Sequence, residues 1–252
     1  MSDVGVVIRR AKDTDAESIF ALKRYAFGDR FLLYTIYQAQ QSINMLRSIL
    51  ERDRFVVIEV DADIAGYYHA VRKEDSLLLN YIVTAEEYRG SRFGTMLFEN
   101  FTDSAKDDDC AALELDVFAS NSSAIRWYSR LGFNTIRELY ISRLQMTDIL
   151  PSLNKPVVPS GELASALNEE CRLGCSKICC MQSENRLEVG LIAGHTCKLL
   201  NHHGLSEDEA MRAITALFPE RQYLIRVSSE PPRALPSLLT FEKLVRMRKM
   251  LG

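Results

Sequence analysis

The segment from residue 54 to residue 101 constrains the fold more than any other part of the chain. Three β-rich runs, "RFVVIEV", "AGYYHAV" and "SLLLNYIV", are separated by the turn sequences "DADI" and "RKED". Short polar turns between such runs predict neighbouring antiparallel strands. An apolar helical pattern, "TMLFENFTDSAK", then predicts a helix that covers one face of the sheet.

Other patterns in residues 1–146 extend this plan. "VGVVIRRA" predicts a first strand, and "TDAESIFALKRYAF" and "FLLYTIYQAQQSINMLRSIL" predict two helices with a break at Gly28 and Asp29. "AALELDVFA" predicts a strand with three apolar residues on one face and Glu114 and Asp116 on the other. A short helix, "SNSSAIRWYSRL", and one bent strand or two follow. The fold class is therefore α/β, of the mixed α+β kind, with helices covering one sheet.

The second part of the sequence predicts a smaller α/β unit. Three prolines in residues 151–161 indicate a linker between a domain at 1–150 and one at 162–252. The second unit is expected to contain a helix over "ELASALNEECRLGCSKICC", a strand "LEVGLIAG", a helix "SEDEAMRAITALF" and two more strands. Its last strand is similar to "IRELYISRLQM" of the first unit, so a degenerate duplication is one interpretation.

Composition excludes several classes of partner. The net charge of -3 lacks the basic character of a nucleic-acid-binding protein. No uncharged apolar stretch reaches the length of a membrane span, and the N-terminus lacks a signal-peptide pattern, so a cytoplasmic location is expected. Six cysteines in 252 residues do not form a dense disulfide framework. A homodimer is compatible with the sequence.

The corner "EEYRGSRFG" is the main candidate for a binding site. A helix that begins after a glycine-containing corner presents unpaired amides and a positive dipole end, which attract phosphate. Gly90 and Gly94 flank Ser91, Arg92 and Phe93. The alternative is a plain strand-to-helix turn with a glycine at its entry.

This region resembles the coenzyme-binding strand, loop and helix of the GNAT superfamily of N-acetyltransferases. The family's Gln/Arg-x-x-Gly-x-Gly/Ala loop corresponds to Arg89, Gly90, Ser91, Arg92, Phe93 and Gly94. A second family element, a strand followed by Asn, Ala, an aromatic-Tyr pair and Gly-Phe, is matched by "LELDVFASNSSAIRWYSRLGF". The order of elements in residues 5–146 also agrees, and the second unit has no comparable loop. The resemblance implies a GNAT-like fold. If the second unit is a degenerate duplication, it would be a GNAT-like half as well.

The resemblance also implies acetyl transfer from acetyl-CoA to a primary amine by direct attack. The free backbone of one strand would pair with the pantetheine arm, and amides of the loop would hold the diphosphate. Tyr128 would lie near the sulfur and act as general acid. The coenzyme-binding residues implied in this way are Ile82, Val83, Arg89, Gly90, Ser91, Arg92, Phe93, Gly94, Thr95, Asn121, Ala124 and Tyr128.

Several points stay open in the sequence. Arg92 replaces a family glycine, so either the loop adapts and the guanidinium reaches a phosphate, or coenzyme binding is weakened. No general base is assigned, because "SLLLNYIV" carries no carboxylate and Glu114 and Asp116 can simply face solvent or a helix. Tyr34 and Tyr37 either line the acceptor site or pack in a helix. A non-catalytic acyl-CoA-binding or protein-interaction module is the alternative function.

No metal is expected. Cys171, Cys175 and Cys179 recur every four residues, beside Cys180, and on a helix they would form one stripe. Zinc and iron–sulfur sites more often use Cys-x-x-Cys pairs, so a thiol-lined core face is the preferred interpretation.

Overall fold

The structure is a computed structural model that describes residues 5–151, 157–232 and 236–252. Residues 152–156 of the predicted linker therefore lie outside the described residues. In the described part, the helices are α1 (Ala16–Leu32), α2 (Ser42–Leu50), α3 (Phe93–Asp107), α4 (Ser122–Arg130), α5 (Leu163–Leu173) and α6 (Glu207–Leu217). The strands are β1 (Val6–Arg10), β2 (Arg54–Val60), β3 (Asp63–Arg72), β4 (Ser76–Thr84), β5 (Ala112–Phe118), β6 (Asn134–Gln145), β7 (Val158–Pro159), β8 (Cys175–Gln182), β9 (Asn185–Ile192), β10 (Thr196–His203), β11 (Tyr223–Ser228) and β12 (Leu238–Met250).

The chain forms two compact units, and neither is a continuous stretch of sequence. The first consists of Met1–Asp29, Leu46–Glu138 and Leu244–Gly252, and the second of Arg30–Met45 and Leu139–Lys243. The last residues of the chain thus return to the first unit. The domain boundary at 151–161 stays a prediction about which segments fold independently.

In the first unit the strand order is β1-β2-β3-β4-β5-β12. The meander β2-β3-β4 is antiparallel, as its short turns predict, and Asp61 and Ala62 make the first turn with positive φ angles of 49° and 73°. β4 and β5 are parallel, because α3 connects them as a crossover. The end of β12 pairs antiparallel with β5, from Leu244 opposite Phe118 to Met250 opposite Ala112.

One apolar cluster holds the first unit together. Leu97 and Phe101 of α3 are fully buried against Leu113 and Leu115 of β5. Met247 of β12 belongs to the same cluster with 1% of its surface exposed. The alternation predicted for "AALELDVFA" is therefore confirmed, with its apolar face directed into this core.

The second unit repeats the plan of the first. Its strand order is β7-β8-β9-β10-β11-β6, with β10 and β11 parallel and α6 between them. β6 takes the place that β12 has in the first unit, pairing antiparallel with β11 from Tyr140 to Gln145. A buried ion pair between Glu170 and Arg221, with two contacts of 2.7 Å, fixes α5 in this unit.

Three sequence predictions are corrected. The break predicted at Gly28 is present, with a φ of 57°, but residues 33–41 are turns, so only Ser42–Leu50 of the second predicted helix forms α2. The predicted helix in the second unit ends at Gly174, whose φ of 78° terminates α5, so Cys175, Cys179 and Cys180 lie on β8 and form no helical stripe. β10 was not predicted, since the alternation in "TCKLLNHH" lasts only four residues before a polar end.

Two further findings concern the described part of the chain. No helix there combines the length and apolar composition needed to span a membrane. No three His, Cys, Asp or Glu side chains there come together as a metal-binding group.

Candidate active site

The amino end of α3 presents free backbone donors. The amide of Met96 donates to the Arg92 carbonyl at 3.0 Å, which is the first hydrogen bond of the helix. The amides of Phe93, Gly94 and Thr95 precede this bond and so have no partner within α3. The first turn of α3 contains no acidic residue that would compete for an anion. This end of α3 can therefore hold a phosphate group.

Arg92 adopts the conformation of the glycine that it replaces. It is the residue before α3, with φ 64° and ψ 2°, and its side chain makes no capping hydrogen bond. Gly90 has a φ of 82°, so the turn uses two left-handed residues in three positions. A non-glycine residue in this region costs about 1 kcal/mol or more. The exposed guanidinium of Arg92 remains available to a bound anion.

β4 has an open edge next to this corner. Its ladder with β5 runs from Ser76 to Leu79, opposite Leu115, whereas β4 itself continues to Thr84. The pairing with β3 shifts between Leu79 and Tyr81, so Asn80 is a β-bulge that bends β4 at the point where the ladder ends. The main-chain groups of Ile82 and Val83 on the β5 side are thus past the end of the ladder.

Asn121, Ala124 and Tyr128 lie on the neighbouring helix. Asn121 caps α4, because its side-chain oxygen accepts from the Ala124 amide at 3.1 Å. Tyr128 is 7% exposed and packs with Phe98 of α3, at a centroid distance of 6.5 Å. Ile82 and Ala124 pack against the same apolar cluster that contains Tyr128. Ile82, Ala124 and Tyr128 thus lie on the same side of the sheet.

Burial decides the protonation state of Tyr128. Desolvation raises the pKa of its hydroxyl well above the ordinary value of 10.0. The phenol is therefore neutral throughout the physiological range and can donate a hydrogen bond.

The two carboxylates of β5 are not free bases. Asp116 accepts from Arg246 Nε at 2.7 Å, and Glu114 lies 3.3 Å from Arg248. Both arginines belong to β12, which places them opposite the carboxylates. Asp116 is exposed, so the solvent-facing alternative considered from the sequence holds for it, while Glu114 is half-buried. These ion pairs could not be predicted from the sequence, because they depend on the pairing of β12 with β5.

Tyr34 and Tyr37 are packed residues. They are 4% and 1% exposed, and the Tyr34 hydroxyl donates to Thr240 Oγ1 at 2.7 Å within the second unit. The preferred interpretation, packing, agrees with this burial, although the residues lie in turns rather than in a helix.

A polar cluster that sequence reasoning missed lies on the other face of β4. The Tyr81 ring contacts Lys23 Nζ, which is 3.2 Å from its centroid, and stacks on His69 at 5.9 Å. Lys23 is fully buried, and burial holds its pKa well below 10.5. In the sequence, Lys23 lies within the predicted helix "TDAESIFALKRYAF", where a lysine among apolar residues was the available signal of a buried amine.

Comparisons with known proteins agree with this geometry. The profile of the family described as Acetyltransferase (GNAT) family matches residues 18–133. Residues 18–133 are a GNAT acetyltransferase domain. The family is one of acyltransferases, and the fold class predicted from the sequence is confirmed.

Two curated relatives match mainly this GNAT domain. A Bacillus subtilis protein, named as an alanine N-acetyltransferase for ribosomal protein bS18, is 33% identical over 78 residues, covering 31% of this chain and 52% of that protein. The Xenopus tropicalis protein named as N-acetyltransferase camello is 30% identical over 132 residues, covering 51% of this chain and 54% of that protein. The chain thus spans about half the length of both relatives.

Several solved structures match nearly the whole chain. One of them is a tandem GNAT protein from the clavulanic acid biosynthesis pathway, with a TM-score of 0.69 and 10% sequence identity, covering 98% of this chain and 99% of that one. At this identity the likeness concerns the fold alone. It agrees with the repeated strand order of the two units.

Proposed function

We propose that the GNAT domain transfers an acetyl group from acetyl-CoA to a primary amine by direct attack of the amine on the thioester. The observation that carries this proposal is the position of the free α3 amides beside the open edge of β4. An anion-binding helix end next to unpaired strand groups suits a ligand that has a diphosphate and an amide-containing arm. The coenzyme is a co-substrate, and the proposal includes no metal.

The residues of the loop would have distinct roles. The amides between Arg89 and Thr95 would hold the diphosphate, with the Arg92 guanidinium as an additional charged donor. Ile82 and Val83 would pair with the pantetheine arm through their main-chain groups, and Ala124 would pack along it. Asn121 would maintain the start of α4, since its side chain caps that helix.

Tyr128 would donate a hydrogen bond to the departing sulfur. Its raised pKa makes complete loss of its proton to a thiolate unfavourable, because an ordinary thiol has a pKa of about 8.5. As Tyr128 gives its proton to the sulfur, it would therefore take another proton from the ammonium group that forms when the amine attacks. Tyr128 then ends the reaction in its neutral form.

The second unit is less suited to the coenzyme. The amino end of α6 is capped by Ser206, whose hydroxyl accepts from the Glu209 amide, and its first turn carries three acidic residues, Glu207, Asp208 and Glu209. Negative charges at a helix start repel a diphosphate. We therefore assign coenzyme binding to the GNAT domain alone, and one coenzyme per chain is expected in titrations.

Coenzyme binding by the α3 corner is tested by Gly94→Asp. A Cβ at position 94 would meet only Thr84 Oγ1, at 3.5 Å, so the variant fits without a clash. Its carboxylate would oppose the diphosphate, and we expect acetyl-CoA affinity in titration calorimetry to fall at least about tenfold, equivalent to about 1.4 kcal/mol. The melting temperature should stay the same or rise, since an acidic residue favours a helix start.

Gly161→Asp is the matched control, because a Cβ there meets nothing within 4 Å and the site lies outside the α3 corner. Its affinity should equal that of the wild type. Equal affinity of Gly94→Asp and wild type, or the absence of any binding heat with millimolar acetyl-CoA, would refute the proposed coenzyme site.

Arg92→Gly tests whether Arg92 strengthens or weakens acetyl-CoA binding. Glycine removes the left-handed strain but adds backbone entropy, so stability should rise by about 0.5 kcal/mol or less. Loss of the guanidinium should weaken acetyl-CoA binding several-fold and reduce its dependence on salt. Calorimetry at two ionic strengths measures both effects. Much tighter binding by the glycine variant would show that Arg92 impairs the loop.

A further inference from the structure

His69 of β3 carries a buried nitrogen that the fold leaves unused. The side chain is 4% exposed, and its Nε2 lies 3.1 Å from Asp53 Oδ2. Its Nδ1 is buried and has no hydrogen-bond partner among the described residues. An unsatisfied buried polar atom costs about 1–3 kcal/mol, so its retention calls for a reason.

The surroundings of His69 fix both its orientation and its tautomer. The ring lies between Phe55, at a centroid distance of 4.0 Å and 8° from parallel, and Tyr81, at 5.9 Å and 21°. Because the Asp53 carboxylate accepts a hydrogen bond from Nε2–H, the hydrogen-bond pattern assigns the free lone pair to Nδ1. A carboxylate that orients a neutral histidine in this way is typical of a histidine that acts as a general base.

The charges around His69 favour its neutral form at pH 7. Burial lowers its pKa below 6.5, the hydrogen bond to Asp53 opposes this, and Lys23 and Arg52 lower the pKa further. Tyr81, which stacks on the ring, is itself neutral because burial raises its pKa to about 12. Burial also lowers the pKa of Lys23 well below 10.5.

His69 lies on the face of β4 opposite the residues assigned to the coenzyme. Tyr81 is its cross-strand partner and follows the bulge at Asn80, where the ladder between β4 and β5 ends. Ile82, next along β4, points to the α3 side and packs in the apolar cluster that holds Tyr128. Tyr81 and His69 therefore lie across β4 from the coenzyme side, next to the open edge of that strand.

Resting on the proposed function, we propose that His69, oriented by Asp53, is the general base that takes a proton from the acceptor amine. The acceptor ammonium gives one proton to Nδ1, and the neutral amine forms the new C–N bond with the thioester carbon. The C–S bond then breaks, and the second proton of the amine passes by way of Tyr128 to the sulfur. The products are the amide, the free thiol of the coenzyme and a protonated His69.

Asp53 holds the ring in place until the proton leaves. Its carboxylate accepts from Nε2 both before and after Nδ1 is protonated, and Asp53 also lines an open cleft of about 640 Å³ in the first unit. After the amide departs, the imidazolium gives its Nδ1 proton to solvent. The neutral ring is then restored with its free lone pair on Nδ1.

The test is the pH dependence of kcat/KM for His69→Gln, with acetyl-CoA and an alkylamine as probes. The wild type should reach a plateau above the lowered pKa of His69, between about pH 6 and 8. The variant must draw on the small neutral fraction of the amine, so its rate should rise tenfold per pH unit without a plateau in that range. At pH 7 it should be slower by about 10²-fold or more.

Asp53→Asn provides a second variant that keeps the imidazole. Because the carboxylate raises the pKa of His69, its removal should move the start of the plateau to lower pH and reduce the rate by roughly tenfold. Arg212→Gln is the surface control, since Arg212 is an exposed residue of α6 in the second unit, and its profile should match the wild type within twofold. Melting temperature and acetyl-CoA affinity, measured for each variant, identify a fold defect.

The outcomes separate this inference from the proposed function. Wild-type turnover with an unchanged profile in His69→Gln overturns the role of His69 and leaves the acetyltransferase proposal intact. Loss of the plateau in Lys23→Met but not in His69→Gln would assign the base to the lysine instead. A wild type that binds acetyl-CoA but acetylates no amine, or binds none, removes the proposed function, and the inference with it.

Discussion

Removing residues 244–252 is expected to unfold the GNAT domain, although the deletion lies more than 100 residues beyond its matched region. These residues pair with β5 along its whole length, and Val245 and Met247 are buried in the main apolar cluster. Burying two such side chains contributes about 3–6 kcal/mol, a large share of the 5–15 kcal/mol of an ordinary domain. The deletion also exposes the β5 edge and leaves Glu114 and Asp116 without their arginines. Chemical denaturation, proteolysis and acetyl-CoA titration measure the loss.

A synthetic peptide of residues 236–252 supplies the control, because it contains the whole of β12. Added in excess to the shortened chain, it should restore protease resistance and coenzyme binding. A peptide in which Val245 and Met247 are replaced by Asp should not. A chain of residues 1–150 lacks the same strand and should behave like the deletion. A cooperative unfolding transition in that chain, with wild-type acetyl-CoA affinity, would show instead that the first domain folds alone.

Local sequence was enough to predict much of the first unit. The turns "DADI" and "RKED" fix strand neighbours through short connections, and the helical pattern after Gly94 has a single apolar face. The strands and helices of residues 54–130 therefore follow from the spacing of apolar residues, which recur every two residues in strands and about every 3.6 residues in helices. The candidate coenzyme loop was located for the same reason, since it lies between two clearly patterned elements.

Non-local pairing explains what was missed. Nothing between residues 112 and 118 indicates that its neighbour is at 244–250, so the ion pairs of Glu114 and Asp116 could not be anticipated. The cluster of Lys23, His69 and Asp53 also joins three separate segments. Residues 33–41 contain good helix formers, but their backbone forms turns, and Tyr34 and Tyr37 are buried within the second unit. There, burial outweighs helix propensity.

Tyr128→Phe is expected to lower kcat by about 10²-fold or more while leaving acetyl-CoA binding within about threefold. Phenylalanine keeps the ring that packs against Phe98, Trp127 and Phe133, so the apolar cluster should remain intact. Only the hydroxyl that would meet the leaving sulfur is lost. Because burial raises its pKa above 10.0, ionisation of Tyr128 should not reduce wild-type activity at any pH below about 10. Steady-state rates of thiol release, with a panel of amines, give kcat and KM separately.

Tyr68→Phe is the matched control, because Tyr68 is a fully buried tyrosine of the same cluster whose hydroxyl bonds Asn100 at 2.8 Å. Its removal should cost about 1 kcal/mol of stability and change kcat by less than threefold. A Tyr128 effect confined to KM, with kcat unchanged, would mean that the hydroxyl contributes equally to ground state and transition state. A loss of stability in Tyr128→Phe larger than in Tyr68→Phe would instead assign the hydroxyl a structural role, and the leaving sulfur would then need another proton donor.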